Sequence, residues 1–363
     1  MAGFSKPIHG ARGVFALSVV IFHVYNSKLP AFPSPWLVEQ AFASLKFGVE
    51  LFFAISGFVI VGTMARARSP LAFIADRATR IYPVLWAVLL VAIPAMLLDG
   101  DQSLAGHGPL VALGILIGNF LALGPILPVP VIYGVAWTLS YEFAFYLLGF
   151  VVLLGRRRSL DLTWLVVALG LTYCIFAPRA LFFLAGVLAA TGLAERSPLR
   201  HLSRAPGFCL IAFLCFWQAT SNATSPHIDP VYQWGGAFHW LTGPLAFLAA
   251  AAAINGLAHG RGLTSQILQW RPLLWLGTVS YSLYIWHPLV LGTFKSVMYK
   301  LHLPAMLGVW SQPLFLLATL PLCLMLAWAS ARLLEGRVTG WLRRHFVTRN
   351  PLADPGLVPR VPA

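Results

Sequence analysis

Residues 47–64 read FGVELFFAISGFVIVGTM, an apolar stretch whose single charge is Glu50. That length matches the roughly 17–25 residues a helix needs to cross a bilayer. A carboxylate at mid-bilayer costs about 2.5–3.5 kcal/mol on insertion scales, so Glu50 demands a reason. Comparable stretches recur at 12–27, 81–98, 134–154, 162–177, 180–194, 207–221, 238–258, 273–293 and 311–333. One more, at 109–124, is shorter, is broken by Gly and Pro, and runs into GPILPVP at 124–130. The composition agrees: 59% of the 363 residues are hydrophobic and 10% are charged. A soluble domain carries about 25% charged residues. One polytopic membrane domain fits these figures. A soluble enzyme, a disordered chain, a collagen and a disulfide-rich secreted protein do not.

The net charge of +14 raises the question of nucleic acid. The basic residues sit between apolar runs rather than on one face or tail, which argues against it. Their placement instead orients the chain, because cytoplasmic loops carry the Lys and Arg excess. With the N-terminus inside and 109–124 not crossing, only Lys28, Lys46, Arg179, Lys295 and Lys300 of the 25 Lys and Arg fall outside. A crossing by 109–124 would send Arg156, Arg157, Arg158 and every later basic loop outside. The expected fold is therefore an all-α integral membrane protein. It has about ten transmembrane helices, one re-entrant or interfacial segment, and both termini in the cytoplasm. Residues 1–345 form the transmembrane domain, and the Pro-containing residues 346–363 are expected to be a disordered cytoplasmic tail.

The first span starts too near the N-terminus to leave room for a cleavable signal, and Arg12 breaks the usual signal-peptide order, so it is read as retained. Cys174, Cys209, Cys215 and Cys323 all fall within spans as apolar filler, and no metal-ligand spacing occurs. Asn222-Ala223-Thr224 is a sequon of the kind common by chance.

Within the spans, polar groups are scarce. Of eleven acidic residues, only Glu50 and Glu142 lie well inside, and of ten histidines His23 and His287 lie deepest. His239 and His259 sit near span ends, where an interfacial role is the simpler reading. At about 1.5 Å per helical residue, His23 lies about 16 Å beyond Arg12. On the same rise, Glu142 falls about 12 Å below the outer boundary and His287 about 21 Å along its outward helix. His23, Glu50, Glu142 and His287 are thus expected in the outer half and the arginines at the inner side. Each also has a plainer reading. An intramembrane His ties helices together, Glu50 pairs with Lys46 at the interface, Glu142 is a hydrogen-bond hub, and Arg66, Arg68, Arg77 and Arg80 are topology signals.

Five motifs in order then resemble the acyltransferase family 3 of membrane O-acyltransferases over nearly the whole chain. Arg12 and His23 match its Arg-x10-His spacing on the first helix. Gly48 to Phe58 is similar to its second-helix signature. Arg77-Ala78-Thr79-Arg80-Ile81-Tyr82-Pro83 is similar to its Arg-x-x-Arg loop. Trp137-Thr138-Leu139-Ser140-Tyr141-Glu142-Phe143 resembles its Trp-Ser-Leu-Ser-x-Glu segment. Gly277 to His287 resembles its Ser-Tyr-x-Leu-Tyr-x-x-His stretch. The chain departs from the pattern at Glu335, which precedes Gly336-Arg337 where members often carry Glu-x-Pro. It departs again at Phe143-Ala144-Phe145-Tyr146, which lacks a second polar residue.

The resemblance implies a multi-pass enzyme of the bacterial inner membrane, with no permanently bound cofactor. Such an enzyme transfers an acyl group, usually acetyl, from acyl-CoA to a sugar hydroxyl in a polysaccharide, glycolipid or glycoside. Acetyl-CoA is then the co-substrate, and the glycan acceptor and membrane lipids are the partners. A cytoplasmic Arg77/Arg80 pair suits the donor phosphates, with Arg12 at the thioester end. His23 suits a general base at neutral pH, oriented by Glu142 or Glu50. On this reading Trp137, Tyr141, Ser140, His287 and Trp286 contact the acceptor. Trp137, Tyr141 and Trp286 read equally well as interfacial belt residues. A covalent acyl-enzyme on His23 or Ser140 is the alternative mechanism. Ser140 and Glu142 are two residues apart and face differently, which weakens a Ser–Glu pair. The rival function is a proton-coupled transporter or flippase, which also uses intramembrane His and Glu. No inverted repeat of the kind many carriers show is visible.

Overall fold

The computed structural model describes residues 4–98, 104, 107–221 and 241–347. Among these the chain is helical and contains no strand. The helices of eight or more residues are α1 Lys6–Tyr25, α2 Trp36–Ser44, α3 Gly48–Arg66, α4 Pro70–Leu98, α5 Pro109–Phe120 and α6 Trp137–Arg158. They continue with α7 Thr163–Phe176, α8 Leu181–Ala190, α9 Pro206–Ser221, α10 Thr242–Ala258, α11 Arg271–Lys300 and α12 Ser311–Ser330. A π-helical turn, Ala331–Val338, carries α12 onward to Val347. His239, the sequon at Asn222 and the tail beyond 347 lie outside the described residues.

Among the described residues, five segments are long and apolar enough to cross a membrane: Lys6–Tyr25, Trp36–Arg66, Pro70–Leu98, Gly134–Arg158 and Leu303–Phe346. The helices in the remaining expected spans are shorter or more polar. For example, α8 stops after ten residues, just before Gly192 adopts a positive φ of 75°. α5 has twelve residues, about 18 Å of helix. It is tied to α4 by Tyr82, which donates to Leu121 O at 3.2 Å, and by Trp86, which donates to Phe120 O at 2.8 Å. The outward face is apolar, with Leu90, Leu317 and Met325 each about two-thirds exposed, as a lipid-facing surface requires.

Helix boundaries differ from expectation where it matters for the site. The stretch expected to begin at 81 begins at Pro70, because Ser69 caps the turn by accepting from the Ala72 N–H at 3.0 Å. Arg77 and Arg80 therefore lie inside α4 rather than on a loop. Likewise α1 starts at Lys6, which carries Arg12 about 9 Å into the helix.

Small residues let the central helices touch. A Cβ on Gly277 of α11 would stand 2.2 Å from His9 O of α1, and one on Gly186 of α8 would stand 1.8 Å from Ala54 O of α3. Close backbone approach of this kind is how membrane helices pack without a hydrophobic driving force. At one end of α8 and α10, Arg261 donates to both oxygens of Glu195, at 2.8 and 2.9 Å. These bonds hold that carboxyl below the usual carboxylate range. We expect Gly277→Val to separate α1 from α11. The cost should reach or exceed the about 1–3 kcal/mol usual for overpacking. A thermal melt in detergent reads this directly, and an unchanged midpoint would refute the tight α1–α11 contact.

Candidate active site

The structure distributes the sequence-predicted residues over three neighbouring places. The first is a cavity among α1, α3, α4, α6 and α11. Arg12, Arg77, Arg80, Ser56, Glu142, Tyr146, Tyr281 and Tyr284 line it, with Phe52, Phe53, Ile55 and Ile81 among its apolar walls. Arg77 and Arg80 reach it together because residues three apart share a helix face. Glu142 is held by Ser56, whose hydroxyl donates to Oε1. Tyr281 fixes α11 to α4 by donating to Ile81 O at 2.8 Å. Glu142 was expected in the outer half, apart from the arginines. It meets them because α1 and α4 start earlier than predicted and carry their arginines deeper. Three guanidiniums face one carboxylate across the cavity, a balance suited to a polyanion.

Asp76 stands beside this cavity. Arg77 donates to its Oδ2, through Nε at 3.1 Å and through Nη2, while Arg343 Nη2 approaches Oδ1 at 2.9 Å. Glu335 also reaches the region. Ser282 donates to its Oε1 at 2.6 Å and accepts from the Ser330 hydroxyl at 2.9 Å, and Arg80 and Arg12 lie within its field.

The second place is an imidazole pair. The rings of His23 and His287 have centroids 5.1 Å apart, and His287 is fully buried. His287 Nδ1 donates to Leu283 O at 3.2 Å, since a carbonyl only accepts. Its Nε2 is thereby left as a bare acceptor, buried and with no hydrogen-bond partner. Tyr133, on the segment ahead of α6, props this part of α11. Its hydroxyl donates to Ile285 O at 2.7 Å and accepts from the Leu289 N–H at 3.2 Å, bridging the turn that holds His287 and Pro288. Neither histidine lines the arginine cavity. Tyr284 stands between, lining the cavity while its ring centroid is 6.0 Å from that of His287.

The third place surrounds Glu50. It is fully buried and pairs with Arg179 Nη1 at 3.4 Å, not with Lys46, whose ammonium lies over the Phe47 ring. Arg179 also covers the Trp137 ring at 5.2 Å. Among the described residues, no hydrogen bond or ion pair joins His23 to Glu50 or Glu142. Trp137 and Tyr141 are 7% and 2% exposed, packed on Phe53, and neither lines the cavity. Ser140 donates to Trp137 O at 2.9 Å, and Trp286 Nε1 donates to Ser330 Oγ at 2.9 Å.

Sequence reasoning missed Arg179, Asp76, Ser56 and Tyr133. Asp76 and Ser56 lie within or beside quoted motifs, as the neighbour of Arg77 and six residues after Glu50. Arg179 carried a weaker signal, as a lone cation after Pro178 between two apolar runs. Tyr133 carried none.

The family model described as an acyltransferase domain matches residues 7–328, most of the chain. The chain belongs to acyltransferase family 3. This acyltransferase is 31% identical over 268 residues to the exopolysaccharide production protein ExoZ of Rhizobium meliloti strain 1021, covering 66% of this chain and 74% of ExoZ. It is 32% identical over 91 residues to YrhL of Bacillus subtilis strain 168, a candidate peptidoglycan O-acetyltransferase by its name. That match covers 25% of this chain and 13% of YrhL. No solved structure matches the acyltransferase significantly. Membership of an acyltransferase family sets the carrier reading aside.

Proposed function

We propose that this acyltransferase moves an acetyl group from acetyl-CoA to a hydroxyl of a bacterial surface glycan. It works as a multi-pass protein of the inner membrane, with about ten crossings, cytoplasmic termini, and residues 1–345 as the working domain. The observation that carries the donor reading is the convergence of Arg12, Arg77 and Arg80, from α1 and α4, on one cavity. CoA bears several phosphate charges, and a guanidinium meets phosphate bidentately. In this reading Arg77 and Arg80 take the phosphates and Arg12 lies along the pantetheine arm. The thioester then points towards Tyr284 and the imidazoles behind it.

The acceptor hydroxyl attacks the thioester carbonyl and yields its proton to His23. The tetrahedral intermediate collapses to the ester, and the departing CoA thiolate takes that proton from His23, leaving the imidazole neutral. Direct transfer is favoured over a Ser140 acyl-enzyme, because the Ser140 hydroxyl is spent on Trp137 O. His287 is a second imidazole whose Nε2 can accept a hydrogen bond from the incoming hydroxyl. Glu50 acts through Arg179 and Trp137 as a scaffold for the acceptor side. Glu142 orders the cavity through Ser56. A glycan acceptor accords with the names of the two relatives.

Purified protein in nanodiscs, given radiolabelled acetyl-CoA and extracted surface polysaccharide, should place label on the glycan as an ester released by mild base. Label that remains wholly on CoA with every acetylatable glycan of the parent strain would overturn the reading.

A further inference from the structure

The donor cavity contains an electrostatic problem. Arg77 is buried, its side chain 8% exposed, and it bonds the carboxylate of its own neighbour Asp76. An arginine paired one-to-one with a carboxylate has its charge cancelled and is a poor ligand for phosphate. The chain answers with a second cation. Arg343 approaches the other oxygen, Oδ1, at 2.9 Å, while Arg77 holds Oδ2. Two guanidiniums then share one carboxylate, and the trio keeps a net positive charge facing the cavity.

The segment bearing Arg343 is seated on the same turn of α4. Thr339 Oγ1 donates to Thr79 O at 2.9 Å, between Arg77 and Arg80 in sequence. Arg343 itself is half-buried, its side chain 33% exposed, and does not line the cavity; it reaches the cavity through Asp76 and Arg77. It also lies beyond residue 328, where the family match ends. We infer that Arg343 is a positioning residue for the donor site: by taking one oxygen of Asp76 it leaves Arg77 cationic for a phosphate of acyl-CoA. This rests on the proposal that Arg77 and Arg80 hold the donor.

A simple clamp fixing the C-terminal helix would show the same contacts, so the test must separate charge from structure. The probe is CoA, titrated calorimetrically into the full-length protein in nanodiscs of zwitterionic lipid. Arg343→Gln should weaken CoA binding about tenfold, as loss of one charge-assisted contact does. Adding Asp76→Asn to Arg343→Gln should restore affinity to within about threefold of the parent, because it removes the charge that cancels Arg77. Arg343→Lys should bind nearly as the parent does, which covers the case in which the Gln variant folds poorly.

Unchanged affinity in Arg343→Gln, or no recovery on adding Asp76→Asn, would overturn the inference. A loss that appears only in nanodiscs containing anionic lipid would do so too, since it would assign Arg343 to a lipid phosphate. If the parent protein binds no CoA, the donor reading fails instead. If Arg77→Ala weakens CoA and Arg343→Gln does not, only this inference fails.

Discussion

His23→Ala removes acetyl transfer, with kcat falling about 10²–10⁴-fold, the usual contribution of a positioned general base. CoA affinity stays near that of the parent, because His23 lies outside the arginine cavity. The expectation follows from the geometry of the imidazole pair. His23 lies in the last turn of α1, its ring faces that of His287, and no carboxylate among the described residues pairs with it. A ring serving only to tie α1 to α11 would show a different pattern. Its loss would lower the thermal midpoint while turnover per folded molecule persisted. Initial rates normalised to folded protein therefore decide the matter, and a kcat within about threefold of the parent would remove His23 from the chemistry.

The second large effect belongs to the opposite end of the site. Arg77→Ala combined with Arg80→Ala should weaken CoA binding by at least about 10²-fold, since hydrogen bonds to charged groups are each worth about 1.5–3 kcal/mol. Transfer at saturating donor should fall far less than the affinity. Both residues face one cavity and neither makes contact with the imidazoles, so donor binding and proton transfer should separate cleanly in kinetics. Normal CoA affinity in the double variant, with correct membrane insertion, would leave the two arginines as topology signals alone.

Much of this arrangement was legible from residues 47–64 and the motifs around them. The apolar stretch at 47–64 is α3 to within two residues, and the Arg12–His23 spacing holds along α1. Depth along a helix follows from a constant rise, so the separation of arginines from imidazoles could be foreseen. Two things could not. Helix starts depend on caps such as Ser69, which hydropathy ignores, so the sequence alone puts Arg77 and Arg80 on a loop and Glu142 too far from them. Sideways contact is also invisible in one sequence. Glu50 was weighed against Lys46, four residues away, whereas its cation is Arg179, brought in by the packing of α8 on α3. The helices shorter than a bilayer, such as α5 and α8, likewise read as full spans or broken ones, because their ends are set by neighbours rather than by their own apolarity.

The hydroxyl of Tyr133 governs a joint in α11. Pro288 leaves α11 without one backbone donor just where His287 is mounted, and a helix interrupted in this way is free to hinge. Tyr133 rivets both edges of that joint to the segment that leads into α6, a segment itself clasped by Asn119 through Pro130 O and Ile132 N. The height of the buried imidazole is thus governed from outside its own helix. A loop that lines no part of the arginine cavity becomes the gauge that sets the reach of the ring.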